Sequence, residues 1–170
     1  MRSTDILTDA FNRVGEGVAR LLDGLDDDAL VWRPDPRANT VAWLVWHIGR
    51  GIDAQVAEVA ATDEVWTSGG WADRFALPFD DGATGYGQSA DDVGRVRASA
   101  ELLRGYVDAT QAAALAYLAT LTDDALDRVV DERWDPPVTL GVRLVSVVGD
   151  ATQHLGQASY VKGLRQRATS

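Results

Sequence analysis

The sequence predicts an all-α protein, a four-helix bundle with a long crossover between its second and third helices. Four long stretches carry apolar residues at spacings of three and four, which is the period of an amphipathic helix. Turn-forming residues separate these stretches, and nothing in the linkers alternates convincingly as a strand would. A chain of 170 residues, 46% of them hydrophobic, can bury a full core, so we expect residues 1–170 to form one domain.

The first two helices are predicted over residues 5–22 and 40–61. In the first, apolar residues recur through Phe11 and Val18 at helical spacing. The second follows a proline-containing turn, "RPDPRAN", and Thr40 is expected to be its N-cap because a threonine oxygen can accept a bond from a free amide of the first turn.

The third and fourth helices are predicted over residues 89–121 and 139–166. Ser89 and Asp92 have the form of a capping box, with aspartate in place of the usual glutamate. Thr139 is the expected cap of the fourth helix, after two prolines.

Two segments resemble one another. "LDGLDDDALVWRP" precedes the second helix, and "LATLTDDALDRVV" precedes the fourth. Each "DDAL" is interpreted as a short helical turn that leads into a long helix. The second and fourth helices, each with the segment before it, are therefore interpreted as a pseudo-repeat.

The joint over residues 63–88 is far longer than the usual connection between bundle helices. It can cross the end of the bundle and leave the second and third helices parallel. Its aromatic residues can seal the bundle end, form the wall of a ligand pocket, or do both. These residues are Trp66, Trp71, Phe75, Phe79 and Tyr86.

Charge and composition exclude several classes of function. A formal net charge of −10 argues against nucleic acid or an anionic membrane as a partner. The absence of cysteine excludes a disulfide framework, a thiolate metal site and a cysteine nucleophile. No signal-peptide core is seen at the N-terminus, and no apolar run approaches the roughly 18 residues of a membrane span. We therefore expect a cytoplasmic protein with a small-molecule substrate, and a homodimer is compatible with a broad apolar surface.

The two histidines of the chain, with one aspartate, are the candidate metal ligands. Asp150 and His154 are four residues apart, on one face of the fourth helix. His47 lies well inside the second helix, so the three can converge on a divalent ion if the two helices are neighbours. An ion would also offset the cost of a buried aspartate. An ordinary polar bridge between two helices is the alternative.

The chain resembles the DinB/YfiT-like superfamily of metalloenzymes, in particular its actinobacterial mycothiol-transferase-like (DUF664-type) branch. "LVWHIGR", "HLGQASYVKG" and the aromatic segment from "WTSGGWADRF" to "GYG" carry the resemblance, which spans essentially the whole chain. It implies an up-down-down-up bundle and a metal held by one histidine of the second helix and a His-x-x-x-His pair of the fourth. These positions fall on His47, Asp150 and His154, with Asp150 in place of the usual histidine.

The resemblance also implies a zinc or nickel ion that activates a low-molecular-weight thiol, with mycothiol as the candidate co-substrate. The lack of cysteine agrees with a thiol supplied from outside. Four further residues are candidates for contacts with the ligands or the substrate. Arg50 can meet an anionic group or face solvent. Gln157 can bind a ligand or bridge two helices, and Trp43 and Trp46 can shield the site or pack in the core.

Three functions therefore compete. The first is a metal-dependent thiol transferase or a related small-molecule enzyme. The second is a non-haem iron protein, because two histidines and a carboxylate are the ligand set of the facial-triad oxygenases. The third is a non-catalytic bundle that binds a metal or a small ligand.

Overall fold

The computed structural model describes residues 1–169 and consists mainly of helices. In chain order the helices are α1 (Ser3–Leu22), α2 (Asp27–Val31), α3 (Val41–Ala60), α4 (Val65–Ser68), α5 (Trp71–Phe75), α6 (Ala90–Val93), α7 (Ala100–Ala119) and α8 (Leu140–Ala168). A 3-10 helix, Asp123–Asp127, and two strands, β1 (Val129–Asp131) and β2 (Val138–Thr139), lie between α7 and α8. None of the helices in residues 1–169 has the length and apolarity that crossing a bilayer needs.

The four long helices form the bundle, and the prediction of an all-α fold is confirmed. Both α1 and α3 contact both α7 and α8. The apolar faces predicted from the sequence meet at the centre, where Phe11, Val18, Leu44 and Leu144 are completely buried. Each such side chain stabilises the fold by about 1.5–3 kcal/mol relative to an exposed one. The up-down-down-up order of the bundle stays a prediction.

The predicted caps begin two of these helices. Thr40 Oγ1 accepts a hydrogen bond from the Trp43 amide at 3.0 Å, and Thr139 Oγ1 accepts one from the Val142 amide at 3.4 Å. Because each hydroxyl satisfies an amide that has no partner within the helix, α3 and α8 start where the sequence predicts.

The third long helix begins later than predicted, so the single helix over residues 89–121 is wrong. The capping box at Ser89 exists, but it caps only the single turn of α6. Gly94 follows, a poor helix former, and Val96 beyond it is fully buried in the core. The chain therefore turns inward, and α7 starts with a second cap, Ser99, whose hydroxyl accepts from the Leu102 amide.

A small hairpin precedes α8 and was not expected from the sequence. Strands β1 and β2 pair antiparallel, with Val129 opposite Thr139. Both strands are too short for alternation to be visible. The turn between them is held by Arg133, which donates to Asp131 from its backbone amide and its guanidinium. These bonds, with Arg143 nearby, hold the pKa of Asp131 well below its ordinary value.

The crossover from α3 to α7 covers residues 61–99 and contains three short helices. Trp66 and Phe75 are buried against Tyr106 of α7, with ring centroids 5.1 and 5.7 Å from its ring. Trp71 packs on the same tyrosine at 5.6 Å. These aromatic residues seal one side of the bundle, whereas Tyr86 is 94% exposed.

Candidate metal centre

The three predicted ligands lie together in the folded chain. Since α3 packs on α8, His47 faces Asp150 and His154 across the interface of the two helices. One ligand atom of each residue lies within 4.8 Å of the others, and the two imidazole centroids are 4.7 Å apart. This cluster can hold a metal ion.

The aspartate of the cluster is not buried, contrary to the expectation that burial would force it to pair. The Asp150 side chain is 47% exposed, whereas that of His154 is 17% exposed. The carboxylate therefore lies at the open side of the cluster, where an ion or a small molecule can enter. Gly51 of α3 faces the Asp150 carboxylate. A Cβ at position 51 would lie 3.7 Å from Asp150 Oδ2, an ordinary contact distance.

The His154 ring is oriented from both sides by residues of α8. Its Nε2 lies 3.4 Å from Asp150 Oδ1, and its Nδ1 lies 3.1 Å from Gln157 Oε1. An amide oxygen accepts hydrogen bonds, so Gln157 Oε1 favours the tautomer of His154 that has its proton on Nδ1. The lone pair of Nε2 then points to the cluster, as a metal ligand requires. Gln157 thus contacts its own helix, and within residues 1–169 it forms no bridge to a second helix.

The His47 ring is oriented by the crossover. Its Nδ1 donates a short hydrogen bond to the Thr84 carbonyl. A carbonyl also only accepts, so this ring too has its lone pair on Nε2. Burial lowers the pKa of His47, and the neighbouring His154 acts in the same direction. Both effects favour the neutral imidazole, the form that binds a cation.

The turn that supplies this carbonyl fits closely over α3. Gly85 has a φ of +98°, and a Cβ there would lie 2.7 Å from His47 Nδ1 and 3.1 Å from Trp43 Cζ2. Two residues after Tyr86, Gln88 Oε1 accepts from Trp43 Nε1 at 2.7 Å. Sequence reasoning missed Thr84, Gly85 and Gln88 as parts of the site. The sequence pattern that could have located this turn is "GYG", because both of its glycines adopt positive φ.

The two candidate tryptophans have different surroundings. Trp43 stacks on His47, with centroids 4.8 Å apart and planes at 16°, and its edge approaches His154 at 6.4 Å. Trp46 is 1% exposed and packs against Trp66 and other core rings. Trp43 therefore walls the cluster, whereas Trp46 is mainly a core residue.

Arg50 neither faces solvent nor reaches the open side of the cluster. Its side chain is completely buried, so the solvent-facing interpretation is wrong. Its Nη1 donates to Glu64 Oε2 at 2.6 Å and lies 3.6 Å from Asp53 Oδ2. The anionic groups that Arg50 meets therefore belong to the protein. Burial raises the pKa of Asp53, which accepts from the hydroxyl of Tyr106 at 2.9 Å.

The donor set matches several metals. Two neutral imidazole nitrogens and one carboxylate oxygen are ligands of zinc, nickel and non-haem iron. Three protein ligands leave at least one coordination position for water or substrate. With the half-exposed Asp150 at its mouth, the cluster combines an ion-binding set with access from solvent.

Comparisons with known proteins agree with the fold. Residues 10–158 match the DinB superfamily, whose members often bind metal. The fold is similar to a crystal structure described as that of the conserved protein of locus from Enterococcus faecalis. That similarity has a TM-score of 0.89 and 32% sequence identity, over 95% of this chain and 96% of the other. No curated protein sequence matches the chain. Because the match covers most of the sequence, the chain belongs to the DinB superfamily.

Proposed function

We propose that the chain is a divalent-metal-dependent enzyme that acts on a small molecule, with His47, Asp150 and His154 as the metal ligands. The observation that carries the proposal is the approach of three ligand atoms to within 4.8 Å of one another. The hydrogen bonds of both Nδ1 atoms support it, since they favour the tautomers in which the Nε2 lone pairs face the cluster.

Each residue of the cluster has a distinct role in this proposal. The two imidazoles provide neutral nitrogen ligands, and Asp150 provides the negative charge that offsets part of the charge of the ion. Thr84 and Gln157 hold the imidazole protons away from the cluster, and Trp43 excludes water from one side. A divalent cation bound there would lower the pKa of a coordinated thiol or water, which makes either one a nucleophile near neutral pH.

The substrate class that we favour is a low-molecular-weight thiol, with mycothiol as the candidate. The chain has no cysteine, so the sulfur of any thiol chemistry must come from a co-substrate. The resemblance to mycothiol-transferase-like proteins, carried by "LVWHIGR" and "HLGQASYVKG", points the same way. In the transfer, the thiol loses its proton to solvent, and its sulfur bonds to an electrophilic carbon of the acceptor. The bond between that carbon and the leaving group breaks, and the leaving group departs with the electron pair.

Two other functions stay open, each with an observation in its favour. The His-His-Asp set is also that of facial-triad iron oxygenases, although these are normally built on β-barrels. The half-exposed cluster would equally suit a bundle that only binds a metal or a small ligand. The test is metal analysis of protein purified without a nickel column, followed by a thiol-consumption assay with mycothiol and a model electrophile.

The three outcomes separate the functions. Zinc or nickel near one ion per chain, with thiol consumption that a chelator abolishes, supports the transferase. Iron near one ion per chain supports the oxygenase. A chain that binds no divalent metal, and whose thermal midpoint does not move when zinc is added, contradicts the metalloenzyme altogether.

A further inference from the structure

A buried arginine fastens the segment that orients His47. Arg50 lies three residues after His47 on α3 and is completely buried. Its Nε donates to the Ala83 carbonyl at 2.9 Å, and its Nη2 donates to the Asp81 carbonyl at 3.2 Å. The next carbonyl along the chain, that of Thr84, accepts the proton of His47 Nδ1.

Besides Arg50, a local turn holds this segment: the Ala83 amide donates to the Asp80 carbonyl at 2.9 Å, and the Gly82 amide donates to Asp80 Oδ1 at 2.8 Å. Residues 76–89 lie outside any helix or strand, so no regular hydrogen-bond ladder fixes the direction of the Thr84 carbonyl. After the Thr84 carbonyl, the chain is held by the bond between Gln88 and Trp43 and by the close packing of Gly85 on α3. The two bonds from Arg50 tie α3 to the carbonyls immediately before that of Thr84, so they contribute directly to its position.

The guanidinium is itself locked from the opposite side. Nη1 binds Glu64 Oε2 at 2.6 Å and lies 3.4 Å from the Tyr106 hydroxyl, and the side chain stacks at 5.0 Å over the ring of Trp66. The planar guanidinium of Arg50 thus donates hydrogen bonds to two backbone carbonyls and to the Glu64 carboxylate, in directions fixed by its geometry. An ammonium group cannot reproduce this fork, because its three donors radiate from a single atom.

We propose that Arg50 is a positioning residue for the metal cluster: by holding the Asp81 and Ala83 carbonyls it aims the Thr84 carbonyl at His47 Nδ1 and so keeps the Nε2 lone pair available to the ion. The role in metal binding rests on the proposed function. The role in selecting the tautomer does not, because the free protein already contains every contact involved.

The experiment measures the tautomer and the metal affinity separately. Nitrogen-15 long-range correlation spectra of the metal-free protein, at mildly alkaline pH, show which ring nitrogen of His47 carries the proton. Wild type is expected to carry it on Nδ1. Arg50→Lys is expected to shift the population towards the Nε2-protonated form and to weaken zinc binding by about 10–100-fold, the usual effect of losing a partner of a metal-bound histidine.

Three further variants keep the test decisive. Gly85→Ala places a Cβ 2.7 Å from His47 Nδ1, so it breaks the bond to the Thr84 carbonyl from the ring side without touching the buried ion pairs. It is expected to produce the same shift, which shows that the tautomer depends on this bond even if Arg50→Lys fails to fold. Arg128→Lys makes the same chemical change in an arginine that binds the Val59 carbonyl near the other end of α3. Tyr106→Phe removes the hydroxyl that contacts Arg50 and Asp53. It therefore destabilises these buried charged groups without removing either bond from Arg50 to the two carbonyls. Both are expected to leave the His47 tautomer unchanged.

Each result bears on one proposal. If Arg50→Lys and Gly85→Ala lower the thermal midpoint but leave both tautomer and zinc affinity at wild-type values, Arg50 is merely structural and the inference is wrong. A wild-type His47 protonated on Nε2 also overturns it. If wild type binds no metal but the tautomer responds as expected, the proposed function fails while the positioning role of Arg50 stands.

Discussion

Gln157 Oε1 lies 3.1 Å from His154 Nδ1, less than one turn further along the same helix. The other imidazole of the cluster, His47, donates instead to the carbonyl of Thr84, 37 residues away in sequence. One ring is thus oriented by its own helix and the other by a distant segment. The two halves of the site can therefore be perturbed independently.

Replacing Gln157 tests the half of the site that α8 itself orients, which is the His154 ring. Gln157→Ala should weaken zinc binding by about 10–100-fold, because His154 loses the acceptor that fixes its tautomer. The free energy of unfolding without metal should change by less than about 0.5 kcal/mol, since the side chain is exposed. Calorimetric titration with zinc and urea unfolding measure the two effects. Gln153→Ala, an exposed glutamine on the same helix, is the control, and equal zinc affinity in both variants would contradict the role.

Replacing Asp150 tests the charged ligand. Asp150→Ala should lower metal content and remove most of the rise in thermal midpoint with zinc, because both a bond and a negative charge are lost. Asp150→His should retain metal, since an imidazole at the same helical position can also bind the ion. Because the carboxylate is 47% exposed, the metal-free Ala variant should lose less than about 1 kcal/mol of stability. Metal content unchanged in Asp150→Ala would exclude it as a ligand.

Lys162 should stabilise the end of α1. Its Nζ donates to the Leu21 carbonyl at 2.7 Å and to the Asp23 carbonyl at 3.1 Å. Carbonyls at the C-terminus of a helix have no amide partner within the helix, so the lysine satisfies them instead. Lys162→Met should therefore lower the free energy of unfolding by about 1–2 kcal/mol in urea titrations. Arg20→Met, which breaks only an exposed ion pair with Glu16, should change it far less. Similar losses in both variants would show that the cap is not responsible.

Asp131 should make the fold sensitive to acid. Its pKa in the folded chain is lowered, chiefly by hydrogen bonds from Arg133. The unfolded chain, with an ordinary pKa of about 3.9, therefore takes up the proton first. The stabilisation is complete above that value and is lost as the pH falls below it. Asp131→Asn should be less stable at neutral pH and should lose less stability between about pH 5 and pH 2. Urea unfolding over a pH series measures this, and parallel profiles would contradict it.

Much of the fold could be predicted because its signals are local. The apolar period placed the long helices, and the hydroxyls of Thr40 and Thr139 marked the starts of α3 and α8. The third helix shows the limit of such signals. Both Ser89 and Ser99 are good caps, and only the burial of Val96 in the core decides that the long helix begins at the second.

The sequence by itself determined the i, i+4 placement of Asp150 and His154 and indicated His47, the other histidine of the chain, as their partner, a choice that the family resemblance supports. These follow from helical geometry and from residue identity, neither of which depends on the rest of the chain.

The tertiary structure alone decided that α3 lies against α8 so that the three ligand atoms meet. It alone brought the Thr84 carbonyl to His47 and buried Arg50 beneath the crossover. No local pattern reports these contacts, because they join segments separated by tens of residues. Their energy comes from packing and hydrogen bonds that exist only once the crossover has closed over the bundle.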